Sequence, residues 1–165
     1  MNARQSKEIE QLYLQMYPIL FEYARNILNN DALAEEAVQD TFNIACQKPD
    51  TLCDSANPKG WLFNTLKNVI SNEQRSRSIA KHILMDFFSE NMKGIQMTND
   101  QISLEIAYND IAETDEFKLL KEMALEGKSH LEMAKARGIT VFACRKRVQR
   151  AKIFLREKIK NNVTK

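Results

Sequence analysis

Residues 138–155, "GITVFACRKRVQRAKIFL", place Arg145, Lys146, Arg147 and Arg150 on one short helix. Val141, Cys144, Val148, Ala151 and Leu155 recur at spacings of three and four, the helical period, so this stripe is expected to be buried. Projection of the helix sets Phe142, Lys146, Gln149 and Arg150 well away from the stripe, with Arg145 and Arg147 flanking it. Immediately upstream, Ser129 and Glu132 have the spacing of a capping box, in which the serine bonds forward and the glutamate reaches back. The helix they start is short, because Arg137-Gly138 ends it, and Thr140 then caps the next one.

Two helices joined by a tight glycine turn, with the small Ala134 four residues before the glycine, form a helix-turn-helix pattern. The alanine permits close crossing of the pair. The outward side of the second helix then combines arginine and lysine donors, an amide and flanking cations. A DNA major groove takes that combination: bidentate donors on guanine, an amide on adenine, and cations on phosphate. A membrane-surface helix fits less well, since the apolar stripe is needed to pack against the first helix of the pair.

Charge along the chain agrees. The net charge is only +2, yet residues 84–126 carry 3 basic and 10 acidic groups, whereas residues 128–165 carry 12 and 2. Such asymmetry points to an anionic partner at the C-terminal end.

Further outward the chain reads as helix almost throughout, and the 44% hydrophobic content is enough for a core. From Ile9 to Ile27 the apolar positions Ile9, Leu12, Tyr13, Met16, Leu20, Tyr23, Ala24 and Ile27 keep helical spacing, and Pro18 predicts a kink or break near Tyr17. The run "NND" at 29–31 provides a stop and a new cap. A second helix over roughly 31–47 puts Ala34, Ala37, Val38, Thr41, Phe42 and Ala45 inward, with Glu35, Glu36, Gln39, Asp40 and Asn43 opposite. Prolines and Asx residues mark 47–60 as a loop. Asn57 then caps a helix with Pro58 at its first position. That helix buries Trp61, Leu62, Thr65, Leu66, Val69 and Ile70 and leaves Asn64, Lys67, Asn68, Ser71 and Arg75 on the other side. A helix over about 115–126 ends at Gly127. The expected organisation is all-α, with small helical domains at 1–83 and 114–165 joined by a flexible linker, 84–113.

Several classes are excluded. No run of eighteen apolar residues exists to span a membrane, and "MNARQSKEIEQLY" lacks the apolar core of a signal peptide. Cys46, Cys53 and Cys144 form no CxxC pair and have no zinc spacing with His82 or His130, so they are read as reduced, buried or half-buried thiols of a cytoplasmic protein. No nucleophile–base pair or glycine-rich phosphate loop argues for catalysis. No cofactor or metal is expected.

Together, "LYLQMYPILFEYARNIL", "AEEAVQDTF", "NPKGWLFNTLKNVISNEQR" and the segment from Glu116 to Leu155 resemble bacterial sigma factors of the extracytoplasmic-function (ECF) group of the sigma-70 family. The resemblance covers roughly residues 8–77 (region 2) and 114–158 (region 4). It implies a protein that binds core RNA polymerase and directs promoter recognition and transcription initiation. Glu35, Gln39 and Asp40 would dock the coiled coil of the polymerase β′ subunit. Lys48, Asn57, Lys59, Asn64, Lys67, Asn68, Ser71 and Arg75 would hold the single-stranded non-template strand of the −10 element. Phe142, Arg145, Lys146, Arg147, Gln149 and Arg150 would read the double-stranded −35 element. An anti-sigma factor is the usual regulator that the resemblance implies, and no sensing domain is expected after the final helix. Departures at Asn72, Ala143, Cys144 and Lys146 bear on which promoter sequence is read. A stand-alone helix-turn-helix regulator and a sigma-like adaptor that binds only protein are the alternatives; both leave the acidic strip or the basic helix without a role.

Overall fold

The computed structural model describes residues 1–93 and 110–163. Every regular element among them is a helix: α1 Ala3–Leu28, α2 Asp31–Gln47, α3 Pro49–Cys53, α4 Pro58–Lys93, α5 Asp115–Ala124, α6 His130–Arg137 and α7 Val141–Val163. The chain divides into two compact units, Met1–Arg75 and Ser76–Lys165, and α4 gives its first half to one and its second half to the other.

In the first unit the turns are set by asparagines. Asn29 adopts left-handed backbone (φ 51°) and closes α1, and the Asn30 side chain accepts from the Leu33 amide at 3.0 Å to open α2. Ile9, Leu12, Met16, Leu20 and Ala24 of α1 pack with Ala34, Ala37, Val38, Phe42 and Ala45 of α2 and with Leu62, Leu66 and Ile70 of α4. Trp61 and Val69 border this core half-buried, and Tyr13 and Ile27, expected inside, are about two-fifths exposed (40% and 41%).

Two expectations fail here for local reasons. α1 runs unbroken through Pro18. The carbonyl that Pro18 cannot bond belongs to Leu14, whose side chain is exposed, so water can satisfy it at that face. The stretch 47–60 is not all loop: Pro49 starts the short helix α3, which drives Leu52 into the core, and the Gln5 amide donates to Asp50 at 2.6 Å.

In the second unit, Thr114, Ser129 and Thr140 cap α5, α6 and α7. The Ser129–Glu132 box is closed in both directions (3.1 and 2.7 Å), and Gly138 takes the left-handed φ of 61° that ends α6. The three cysteines are free; Cys144 is buried, Cys53 intermediate and Cys46 exposed rather than half-buried.

The expected linker at 84–113 begins inside α4. Ala80, Ile83, Leu84 and Phe87 pack into one core with Phe117, Leu120, Met123, Met133, Cys144, Val148 and Leu155. Apolar residues at 80, 83, 84 and 87 keep the helical spacing, so this end of α4 is an additional wall of the second unit. The remainder of the expected linker, 94–109, lies outside the described residues.

Phe87 is fully buried with its ring centroid 5.7 Å from that of Phe117, whereas Met85 is 57% exposed. Phe87→Ala should therefore destabilise the protein by about 3–5 kcal/mol, and Met85→Ala by no more than about 0.5 kcal/mol. Urea unfolding followed by circular dichroism distinguishes this from a linker, in which both changes would be silent.

Candidate nucleic-acid interface

The geometry of the second unit starts from Arg137, the last residue of α6. Its guanidinium donates to both carboxylate oxygens of Glu122 at 3.0 and 3.1 Å and, through Nε, to Asp115 at 3.0 Å. This bidentate fork ties α6 to α5 just before the Gly138 turn. Glu122 is held below the usual carboxylate range, chiefly by the hydrogen bond from Arg137, with the nearby charges of Arg137 and Lys128 adding to it against partial burial; Arg137 is correspondingly raised. Arg77 of α4 donates to the backbone carbonyls of Met123 and Lys128, closing the carbonyl end of α5.

With α6 so fixed, α7 packs its stripe inward: Cys144, Val148, Ala151 and Leu155 are buried and Val141 is half-buried. Ala134 is buried on the facing helix, as a close crossing requires. The opposite side presents Phe142, Lys146, Gln149 and Arg150, all exposed. Two flanking cations are partly committed within the unit. Arg145 is half-buried and engaged by a neighbouring group, and Arg147 stands 3.8 Å from Asp115. Lys152 is a third case, and its burial was not read from the sequence. It lies 4% exposed, donating to the Ser76 hydroxyl at 2.7 Å.

In the first unit, Asn64, Lys67, Asn68, Ser71 and Arg75 share the exposed side of α4, and Lys48, Asn57 and Lys59 are exposed beside its start. Asn57 has a structural task as well: its side-chain oxygen accepts from the Gly60 amide at 2.9 Å, and a Cβ on Gly60 would meet that side chain at 2.4 Å. The polar face of α2 is less uniform than expected. Glu35 and Gln39 are exposed and joined by a 3.2 Å hydrogen bond. Glu36, however, is buried (8% exposed), and Asp40 is half-buried and already engaged. Beside Glu35 runs an aromatic band from α1: Tyr13 and Tyr17 lie 5.2 Å apart, and Tyr17 stacks on Phe21 at 6.1 Å. Burial first, and then the Glu35 charge, push the Tyr17 hydroxyl up.

The family model of sigma-70 region 2 matches residues 12–79. Over these residues the first unit is similar to region 2 of sigma-70 factors. The ECF RNA polymerase sigma factors SigL of three Mycobacterium tuberculosis strains, Erdman, CDC 1551 and H37Rv, are each 35% identical over 75 residues. The alignment covers 45% of this chain and 42% of each relative, so the chain spans less than half the length of the curated relatives it matches. The sigma-70 region 2 match contains α2, α3 and the exposed side of α4 through Arg75; the helix-turn-helix beyond it is defined by its own geometry. None of the described helices is long and apolar enough to cross a membrane.

The Glu122–Arg137 pair makes a pH-dependent contribution. A carboxylate lowered in the folded state stabilises fully above its unfolded pKa, about 4.3, and that stabilisation is lost as pH falls through the lower folded value. Glu122→Gln should cost about 2–4 kcal/mol near neutrality. The cost should shrink below about pH 4, as followed by urea unfolding at a series of pH values.

Proposed function

We propose that this protein is an ECF-type sigma factor: it binds core RNA polymerase, directs promoter recognition and starts transcription, without catalytic chemistry of its own. The observation that carries the reading is the occurrence, in one chain, of a sigma-70 region 2 and a following helix-turn-helix whose outer side holds Lys146, Gln149 and Arg150. The names of the Mycobacterium relatives support it over the 75 residues they share with this chain. A stand-alone regulator or a protein-only adaptor uses one of these two units and not both.

In this reading the first unit binds polymerase and the −10 element, and the second binds the −35 element. The Glu35–Gln39 strip, with Asp40 at its half-buried margin, meets the coiled coil of β′ through charge-assisted hydrogen bonds. Lys48, Asn57, Lys59, Asn64, Lys67, Asn68, Ser71 and Arg75 hold the unpaired non-template strand, with amides for bases and cations for phosphates. Phe142, Lys146, Gln149 and Arg150 address base edges in the −35 major groove. Arg145 and Arg147, partly tied to the unit itself, contact the flanking backbone. An anti-sigma factor is the partner expected to restrain the protein, and its place of action is the cytoplasm.

Run-off transcription with purified core polymerase and a promoter fragment is the direct test. A transcript that requires both the protein and core enzyme is expected. DNA binding by the protein alone, with no association with core enzyme, would replace this reading by the stand-alone regulator.

Two substitutions separate the interfaces. Glu35→Lys reverses a charge on an exposed helix face, so its stability should stay within about 0.5 kcal/mol of wild type. Its affinity for core polymerase should fall about tenfold or more, the equivalent of one charge-assisted hydrogen bond. Arg150→Ala should leave core binding intact and weaken −35 recognition by about 1–3 kcal/mol. Gel filtration with core enzyme and promoter binding by the holoenzyme give the two readouts.

A further inference from the structure

Phe142 is the most exposed large apolar side chain among the described residues, at 71%. It sits in the first turn of α7, on the side away from buried Cys144 and Val148, and contributes nothing to the core. One turn later, the Lys146 ammonium lies over its ring, 5.5 Å from the centroid. That contact fixes a cation against the ring and favours an extended, ordered phenyl group on an otherwise polar surface.

We infer that Phe142 is a specificity-determining residue that reads the C5-methyl group of a thymine in the −35 element. The inference rests on the sigma-factor reading above and adds the atom recognised. Its neighbours Lys146, Gln149 and Arg150 carry hydrogen-bond donors suited to guanine, adenine and phosphate. A phenyl ring has no use for any of those acceptors. Among the groups that base pairs present in the major groove, only the thymine methyl is apolar. Charge complementarity selects DNA over an apolar protein partner. The ring carries an ammonium on one face, and residues 128–165 hold 12 basic against 2 acidic side chains. An apolar protein surface seated on Phe142 would have to desolvate Lys146, whereas DNA supplies that ammonium with acceptors.

The test uses holoenzyme assembled from the full chain and core polymerase. A randomised promoter duplex library is first selected for binding, and the selected −35 element should contain at least one A·T pair. Every thymine in that element is then replaced by deoxyuridine, which removes the methyl and leaves each hydrogen-bonding edge intact. Wild-type holoenzyme should lose about fourfold in affinity, equivalent to one methyl-sized apolar burial. Phe142→Ala should lose a similar factor on thymine DNA and be indifferent to deoxyuridine, while Phe142→Leu should retain part of the discrimination. Circular dichroism and core binding of both variants should match wild type. Equal affinity of the wild type for both duplexes, a selected element without A·T pairs, or full methyl discrimination by Phe142→Ala overturns the inference. Loss of core binding by Phe142→Ala would place the ring on polymerase instead and overturn it equally. Failure of the wild type to select any promoter overturns the sigma-factor reading, and this inference with it.

Discussion

The bidentate grip of Arg137 on Glu122 is the contact on which the geometry of the second unit turns. It joins the last residue of α6 to the last turn of α5, and the left-handed Gly138 follows at once. A pair only partly exposed at both ends (side chains 14% and 19%) is screened less than a surface ion pair, and its planar fork fixes orientation as well as distance. Asp115 shares the same guanidinium and stands near Arg147 on α7. The three helices are thus tied by one small charged cluster at the turn and by the apolar stripe of α7 beneath it. Removing Glu122 would leave Arg137 half-buried with only the exposed Asp115 to meet it, which is costlier than never having had the pair.

That arrangement changes how the basic C-terminal segment should be counted. Twelve cations follow Gly127 in the sequence, but they do not all face outward to a partner. Arg137 serves the turn, Lys152 lies buried with its ammonium on Ser76, and Arg147 is drawn toward Asp115. The outward set is narrower, with Lys146, Gln149 and Arg150 beside Phe142 on one side of α7. In the proposed reading, net charge would account for attraction of the segment to a polyanion, while the few outward side chains would decide what is read.

Much of this was legible in the sequence because it is written in local codes. Asn29–Asn30, Asn57–Pro58, Ser129–Glu132, Gly138 and Thr140 are capping and turn signals whose chemistry acts within four residues, and each appears where expected. The stripe from Cys144 to Leu155 is likewise a one-helix pattern. What escaped depends on contacts far along the chain. Residues 80–83 read as the end of the first domain and 84–87 as linker until Phe117 and Leu120 supply the surface that makes their spacing meaningful. Lys152 counts as one more surface cation until Ser76, on another helix, receives it. Glu36 and Asp40 fall on a polar face by projection, yet in the folded chain Glu36 is buried and Asp40 half-buried. Pro18 fails in the opposite direction: a local rule predicted disruption, and exposure of the affected carbonyl's face removed most of its cost.

Two outward surfaces of the first unit differ in their chemistry. The exposed side of α4 mixes the amides of Asn64 and Asn68 with Lys67 and Arg75, and carries no apolar group to be hidden. It suits a strand whose bases and phosphates are both accessible. The α2 surface pairs the anionic Glu35–Gln39 strip with an aromatic band from Tyr13 to Phe21, a combination of hydrogen-bonding groups and apolar area that would suit the protein partner proposed for it. Negative charge at Glu35 repels phosphate, so under the proposed reading the α2 side would favour a basic protein partner and leave DNA to the α4 side. In that reading, selectivity between the two partner classes would follow from the acidic side chains exposed on α2 and the cations and amides exposed on the first half of α4.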